Sequence, residues 1–232
     1  MLCYHAVSDS WPHHLAVTRR AFERQVRSLR FRRYRPVSAA DAASGRGRVF
    51  HVTFDDAYTS VAAAIPTLER LGVPATVFAC PEFADEGRPL AIPELAAEAS
   101  AHPDELETMN WDQLRELVAH EVEIGSHTLS HAHLTQLTDA ELSRELRESR
   151  ERIEAELARP CRFVAYPYGD DDERVHRAAR RAGYEAGFAA PGRLAPANVY
   201  ALPRVGIWRH DGPLRVTLKT TGVVRRALDA RT

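Results

Sequence analysis

Two short stretches carry side chains that could do chemistry together. Val52-Thr53-Phe54-Asp55-Asp56 ends an apolar, β-branched run that begins near Val49, the pattern of a buried parallel strand delivering charge to its carboxyl end. Adjacent carboxylates repel, so a fold that keeps both there needs a cation or a proton to hold them. Glu123-Ile124-Gly125-Ser126-His127-Thr128-Leu129-Ser130-His131 is a second apolar run, ending in two imidazoles at i and i+4. On a helical turn or in a tight loop both rings can face one point, as two nitrogen ligands of one metal must. Asp56, His127 and His131 would then give three protein ligands with a position left for water. Taken alone, the acid pair admits a plainer reading, in which Asp56 caps a helix over 58–71 and Asp55 is solvated.

A third stretch, Tyr166-Pro167-Tyr168-Gly169, follows another apolar run. Thr53-Phe54-Asp55-Asp56, His127-Thr128-Leu129-Ser130-His131 and Tyr166-Pro167-Tyr168-Gly169, in this order, resemble the first three motifs of the polysaccharide deacetylases. This is the NodB-homology group, also called carbohydrate esterase family 4. Each motif is short, and it is the ordered set, spanning about residue 2 to about residue 204, that carries the resemblance. The resemblance implies that Asp56, His127 and His131 hold a divalent ion, expected to be zinc, that polarises an acyl carbonyl and acidifies water. It further implies Asp55 as the base beside that ion and the backbone N–H of Tyr168 as a donor to the oxyanion. An amide's leaving nitrogen also needs an acid.

The family takes that acid from a Leu-x-x-His motif near the carboxyl end. No such motif stands there, since His210 lies in a Trp-Arg-His-Asp context, but Leu2-Cys3-Tyr4-His5 matches at the opposite end. This resembles the circularly permuted branch of the family, which includes bacterial poly-N-acetylglucosamine deacetylases and in which the last barrel strand comes first. His5 is then the implied acid; otherwise it is a locally satisfied histidine at a strand end. The arginine of the third motif is missing, for Ala165 and Tyr166 occupy its place. Arg204 either supplies that charge from a neighbouring strand or forms a plain surface ion pair. The acid-tryptophan motif has no clear counterpart, which leaves Trp111 or Trp208 to line an acetyl pocket. His13 and His14 are expected to be solvated or to line the cleft rim, and not to be ligands.

The elements that must position these residues alternate along the chain. After the acid pair, Val61, Ile65, Leu68 and Leu71 form one helical stripe closed by Gly72, and 75–79 is the next strand. Strand, helix, strand in that order demands a crossover, so the sheet is parallel. Residues 81–103 read as a loop with a short helix beside the cleft. Trp111, Leu114, Leu117 and Val118 mark a helix; Thr138 and Glu141 form a capping box for a long one with Leu142, Leu146, Ile153 and Leu157 inward. The Arg and Glu residues of that long helix are expected on a solvated, salt-bridged face. Asp171 or Asp172 starts another helix, which ends at Gly183, and strands follow over 186–189 and 200–205. The pattern predicts one α/β domain over 1–232 with a core of about 2–205 and a covering helix of about 213–228. The resemblance sharpens this to an irregular (β/α)7-type barrel with a parallel sheet.

Composition sets the remaining bounds. A chain of 232 residues can bury a barrel-sized core, and 44% hydrophobic with 27% charged residues is ordinary for a globular protein. A net charge of −1 provides no overall field for nucleic acid or an anionic membrane. Lys219 is the only lysine among 31 basic residues, a bias from which no function is drawn. Cys3, Cys80 and Cys161, odd in number and set in apolar runs, read as buried thiols. No run approaches the ~20 apolar residues of a membrane span, and only four residues precede His5, so as written the chain is expected in the cytoplasm. Envelope polymers, on which the family acts, would instead require a leader ahead of this sequence, or else an intracellular precursor as substrate. The expected activity is removal of N-acetyl groups from an N-acetylated amino sugar in a glycan or glycan precursor. The alternatives are an O-acetyl esterase on carbohydrate and a non-catalytic carbohydrate-binding barrel.

Overall fold

Seven short apolar runs become the strands of one parallel barrel: β1 (Leu2–Tyr4), β2 (Val52–Phe54), β3 (Ala75–Ala79), β4 (Glu123–Ser126), β5 (Phe163–Ala165), β6 (Ala186–Pro191) and β7 (Leu202–Gly206). The computed structural model describes residues 1–44, 47–90, 92–191 and 198–221. Each strand pairs with the next in chain order, and β1 closes the ring between β7 and β2. The expected irregular (β/α)7-type barrel is the architecture found, with the amino-terminal strand fully built into the sheet. Leu2 pairs with both Val205 and Val52, and Cys3 with both Gly206 and Thr53.

Crossover helices cover the barrel: α1 (Arg19–Phe31), α2 (Ile65–Leu71), α3 (Trp111–Ala119), α4 (Asp139–Leu157), α5 (Glu173–Arg181) and α6 (Pro213–Thr220). Their starts follow the side-chain chemistry: Thr18 caps α1, Asp172 caps α5, and Thr138 with Glu141 forms the predicted box on α4. The helix predicted over 58–71 differs. It begins as a 3-10 helix, Thr59–Ala64, and becomes α-helical only at Ile65. Pro66 has no N–H to offer and its ring crowds the preceding turn, so an α-helical ladder cannot run through it. Asp56 does not cap this helix, since the capping residue is Tyr58 and no side chain caps it. Strands β6 and β7 also end beyond their predicted limits, at Pro191 and Gly206. The covering helix expected over 213–228 is seen over Pro213–Thr220, and its remainder lies outside the described residues.

The barrel interior is aromatic. Phe78 of β3, Phe163 of β5 and Phe188 of β6 meet there, with ring centroids 5.3 Å and 5.7 Å apart for the pairs that share Phe188. Phe54, Val77, Ile124 and Val164 belong instead to the larger cluster that includes helix residues such as Phe22, Leu114 and Leu146. This is the period-two alternation of a barrel strand. The three cysteines are buried and free. Among the described residues no helix is long and apolar enough to cross a membrane.

Gly125 is glycine because the Phe78 ring takes the space of a side chain: a Cβ there would sit 2.5 Å from Phe78 Cε1 and 3.1 Å from the Phe163 carbonyl oxygen. Gly125→Ala is therefore expected to destabilise the protein by about 1–3 kcal/mol, measured as a lower urea midpoint at unchanged slope.

Candidate active site

The residues singled out in the sequence converge at the carboxyl ends of the strands, where a parallel barrel gathers its loops. His5 follows β1, Asp55 and Asp56 follow β2, His127 follows β4, Tyr168 follows β5, and Arg204 lies within β7. The turns that carry them are unusual. Asp56, Ala57, Thr128, His131 and Tyr168 all have positive φ, between 50° and 69°, a region costly for residues with a Cβ and tolerated where surrounding contacts over-determine it.

At the centre of the cluster is Asp56 Oδ1. His127 Nε2 and His131 Nε2 each lie 3.3 Å from it, yet this buried oxygen has no hydrogen-bond partner. Two nitrogens and an oxygen at metal–ligand distances of about 2.0–2.2 Å around a tetrahedral ion are separated by roughly 3.3–3.5 Å. The spacing therefore fits a shared cation better than a hydrogen bond. His127 Nδ1 lies 2.8 Å from the Ala165 carbonyl oxygen; donating its proton there leaves the Nε2 lone pair facing Asp56. Burial raises the Asp56 carboxyl, but the two imidazoles, when they carry protons on Nε2, outweigh it and hold it well below the usual carboxylate range. The pair reaches this point from a loop, not from a helix.

Asp55 faces the other way. Its carboxylate makes a two-pronged ion pair with Arg204, Nη1 to Oδ1 at 2.6 Å and Nη2 to Oδ2 at 2.8 Å. Arg204 also donates from Nε to the Ala189 carbonyl at 3.0 Å, and its guanidinium lies over the Phe78 and Phe188 rings. The pair is buried: the two side chains are 1% and 6% exposed. Of the two readings of Arg204, the surface ion pair is thus excluded. Burial pushes the Asp55 carboxyl up, Arg204 and then His127 pull it down, and it settles below its ordinary value.

A cleft of about 320 Å³ opens above these groups, lined among others by His5, His14, Glu94, Tyr168 and Trp208. His5 stacks on Trp208 with centroids 5.5 Å apart, and its Nδ1 is buried without a partner. Burial lowers the His5 pKa, with Asp56 and Asp55 opposing. Tyr168 stands at the rim, stacked on His133 at 3.9 Å and edge-on to His131. His13 and His14 also line the cleft, so the rim reading holds for both. Trp208 lines the cleft, whereas Trp111 donates to Asp85 Oδ1 and is not among the lining residues. His210 is not among them either.

Two contributors escape sequence reasoning. Glu94 comes from the 81–103 excursion; its Oε2 accepts from the Tyr168 hydroxyl at 3.4 Å, and its Oε1 is 3.8 Å from His133. Glu145 departs from the solvated face expected of α4: it is buried and accepts from the N–H groups of Leu129 and Ser130. Its position three residues after Leu142 and one before Leu146 places it on the inward stripe, and that was the available signal.

A profile of the polysaccharide deacetylase family matches residues 42–187. The chain belongs to the polysaccharide deacetylase family. The match contains Asp55, Asp56, His127, His131 and Tyr168, while His5 and Arg204 lie outside it. YxkH of Bacillus subtilis (strain 168), a polysaccharide deacetylase by name, is 25% identical over 217 residues, 89% of this chain and 70% of its own. Among solved structures, the deacetylase PplD of Streptococcus pyogenes, in complex with acetate, superposes with a TM-score of 0.77 at 21% identity, over 95% of this chain and 96% of that one. A de-N-acetylase of Aggregatibacter actinomycetemcomitans gives 0.70 at 20% identity over 98% of both chains. At these identities the structural likeness establishes a shared barrel fold, and the family rests on the profile match.

The Asp55–Arg204 pair makes a stability prediction. Arg204→Met leaves a buried carboxylate uncompensated and is expected to cost about 3–5 kcal/mol at neutral pH, read by urea denaturation. Because Asp55 is depressed in the folded protein, its contribution is present above the ordinary carboxylate pKa and is lost as pH falls through the folded value. The gap between wild type and variant should therefore narrow towards pH 4, as the variant's raised Asp55 takes up a proton.

Proposed function

We propose that this polysaccharide deacetylase is a metal-dependent hydrolase that removes N-acetyl groups from an N-acetylated amino sugar in a glycan or glycan precursor. The observation that carries the reading is the convergence of two imidazole Nε2 atoms on the unpartnered, buried Asp56 Oδ1, in a cleft shared with the Asp55 carboxylate and the His5 imidazole. Asp56, His127 and His131 hold a divalent cation, zinc by the character of the donor set. When bound, that cation supplies Lewis acidity to the acyl carbonyl and acidifies water.

The remaining chemistry belongs to the chain. Asp55 takes a proton from the attacking water, and Arg204 keeps that carboxylate ionised and fixes its direction. The backbone N–H of Tyr168 donates to the oxygen that gains charge as the carbonyl carbon becomes tetrahedral. As the C–N bond breaks, His5 gives its proton to the leaving nitrogen, and the products are acetate and a free amine. Trp208, stacked on His5, holds that ring at the cleft wall and lines the space available to an acetyl methyl.

An amide leaving group needs the acid more than an ester's does, so the His5 imidazole in the cleft favours N-deacetylation over O-deacetylation. The Aggregatibacter relative is described as a de-N-acetylase, in keeping with this choice. Acetate release from N-acetylglucosamine oligomers, beside acetyl-xylan, tests the reading. Turnover of the oligomers should vanish on chelation and return with zinc. Turnover indifferent to chelation would exclude the metal, acetate from acetyl-xylan alone would indicate an esterase, and binding without release a non-catalytic barrel.

His5 has a test of its own. His5→Ala should slow amide cleavage by ~10²–10⁴, the worth of a positioned acid, while metal content is unchanged and an activated acetyl ester suffers much less. Equal losses on both substrates would move the acid role to another group.

A further inference from the structure

The loop between the two imidazoles is held in a conformation it would not adopt unaided. Thr128, with φ 67°, and His131, with φ 64°, are both left-handed, a conformation that is costly above all for the β-branched Thr128. The first half of the loop is tied to the strand ends: the His127 N–H donates to the Ala79 carbonyl at 2.8 Å and the Thr128 N–H to Ser126 Oγ at 3.0 Å. The His131 N–H donates to Thr128 Oγ1 at 3.2 Å, a bond internal to the loop.

Between them, the Leu129 carbonyl accepts from the Glu82 N–H at 3.2 Å, while the donors of Leu129 and Ser130 converge on one side chain. Their N–H groups donate to Glu145 Oε2 at 2.9 and 3.0 Å, and the Ser130 hydroxyl donates to Oε1 at 2.7 Å. Glu145 is 3% exposed, on the long helix α4 (Asp139–Leu157). That helix is fixed to the same strand end a turn later by the Ser149 and Ser126 hydroxyls, 2.5 Å apart. A buried carboxylate whose oxygens are both directed at one loop acts on that loop's shape.

We infer that Glu145 is a positioning residue for the metal centre: acting through Leu129 and Ser130, it holds the turn in which His127 and His131 converge on Asp56, and it does so by reach and not by charge. This rests on the metal-ligand reading above. Glutamine has the same reach: its carbonyl oxygen can accept from both amides, and its NH₂ can face a serine hydroxyl that accepts as readily as it donates. Aspartate keeps the charge but falls one methylene short of the loop.

The experiment compares the zinc dissociation constants of wild type, Glu145→Gln and Glu145→Asp by competition with a chromophoric chelator. Far-UV circular dichroism of the metal-free proteins reports that each is folded. Glu145→Asp should bind zinc ~10–100-fold more weakly, the usual effect of losing a group that orients a ligand, and Glu145→Gln should stay within ~3-fold of wild type. Ser130→Ala, which loses one of the three bonds and leaves α4 intact, should show a smaller loss of ~2–5-fold, and it serves if Glu145→Asp does not fold. Zinc affinity unchanged in both Glu145→Asp and Ser130→Ala would make Glu145 a packing residue only. A glutamine variant as weak as the aspartate variant would assign the effect to charge; either result overturns the inference. Wild type that fails to bind zinc would instead remove the metal-ligand reading on which it rests.

Discussion

Two carboxylates at consecutive positions, both buried, can stay ionised only if each finds its own countercharge. Asp55 continues the line of β2 into the barrel and meets Arg204, while Asp56 turns aside, at φ 69°, towards two imidazoles. Much else at the site follows from this separation. The left-handed turn at Asp56 and Ala57 divides the charges, and the guanidinium comes from β7, which is separated from β2 only by β1. The two imidazole nitrogens, each 3.3 Å from Asp56 Oδ1, are left with the spacing of a coordination shell.

The barrel meets these demands by dividing its labour. Its interior is closed by the Phe78, Phe163 and Phe188 rings, on which the Arg204 guanidinium rests. Placed among apolar surfaces, the Asp55–Arg204 pair is shielded from water, which strengthens its Coulombic attraction and makes either partner expensive to remove alone. Among the described residues, five of the eight non-glycine residues of positive φ, Asp56, Ala57, Thr128, His131 and Tyr168, lie on the loops that carry the site. The contacts that hold the loop of Thr128 and His131 include a strand end and α4.

The cleft has two unlike walls. On one side His5 and His14 pack against Trp208, joined to the barrel by β1 and β7. On the other, Tyr168 lies between His131 and His133 and bonds to Glu94. In the proposed mechanism the first wall would supply the proton donor and the second the oxyanion donor, one on each side of the acyl group, as hydrolysis of an amide requires. Membership of the polysaccharide deacetylase family is consistent with this division.

Several features were legible in the sequence because they depend on local chemistry. Short apolar runs and helical spacing marked the strands and main helices, cap residues marked where α4 and α5 begin, and the types and order of Asp55, Asp56, His127 and His131 pointed to one site. What the sequence left open was every contact between distant elements. Whether Arg204 belonged to the site or to the surface depended on β7 lying beside β1, 149 residues from Asp55 in sequence terms. Trp111 and Trp208 are alike as residues, and only the course of the chain brings Trp208 to the cleft. Glu145 was misread for the same reason: a glutamate on a charged helix resembles its solvated neighbours until the loop it holds is folded against it. Sequence specifies short-range preference, but burial, countercharge and left-handed turns are properties of neighbours supplied by other parts of the chain, and those the tertiary structure alone decided.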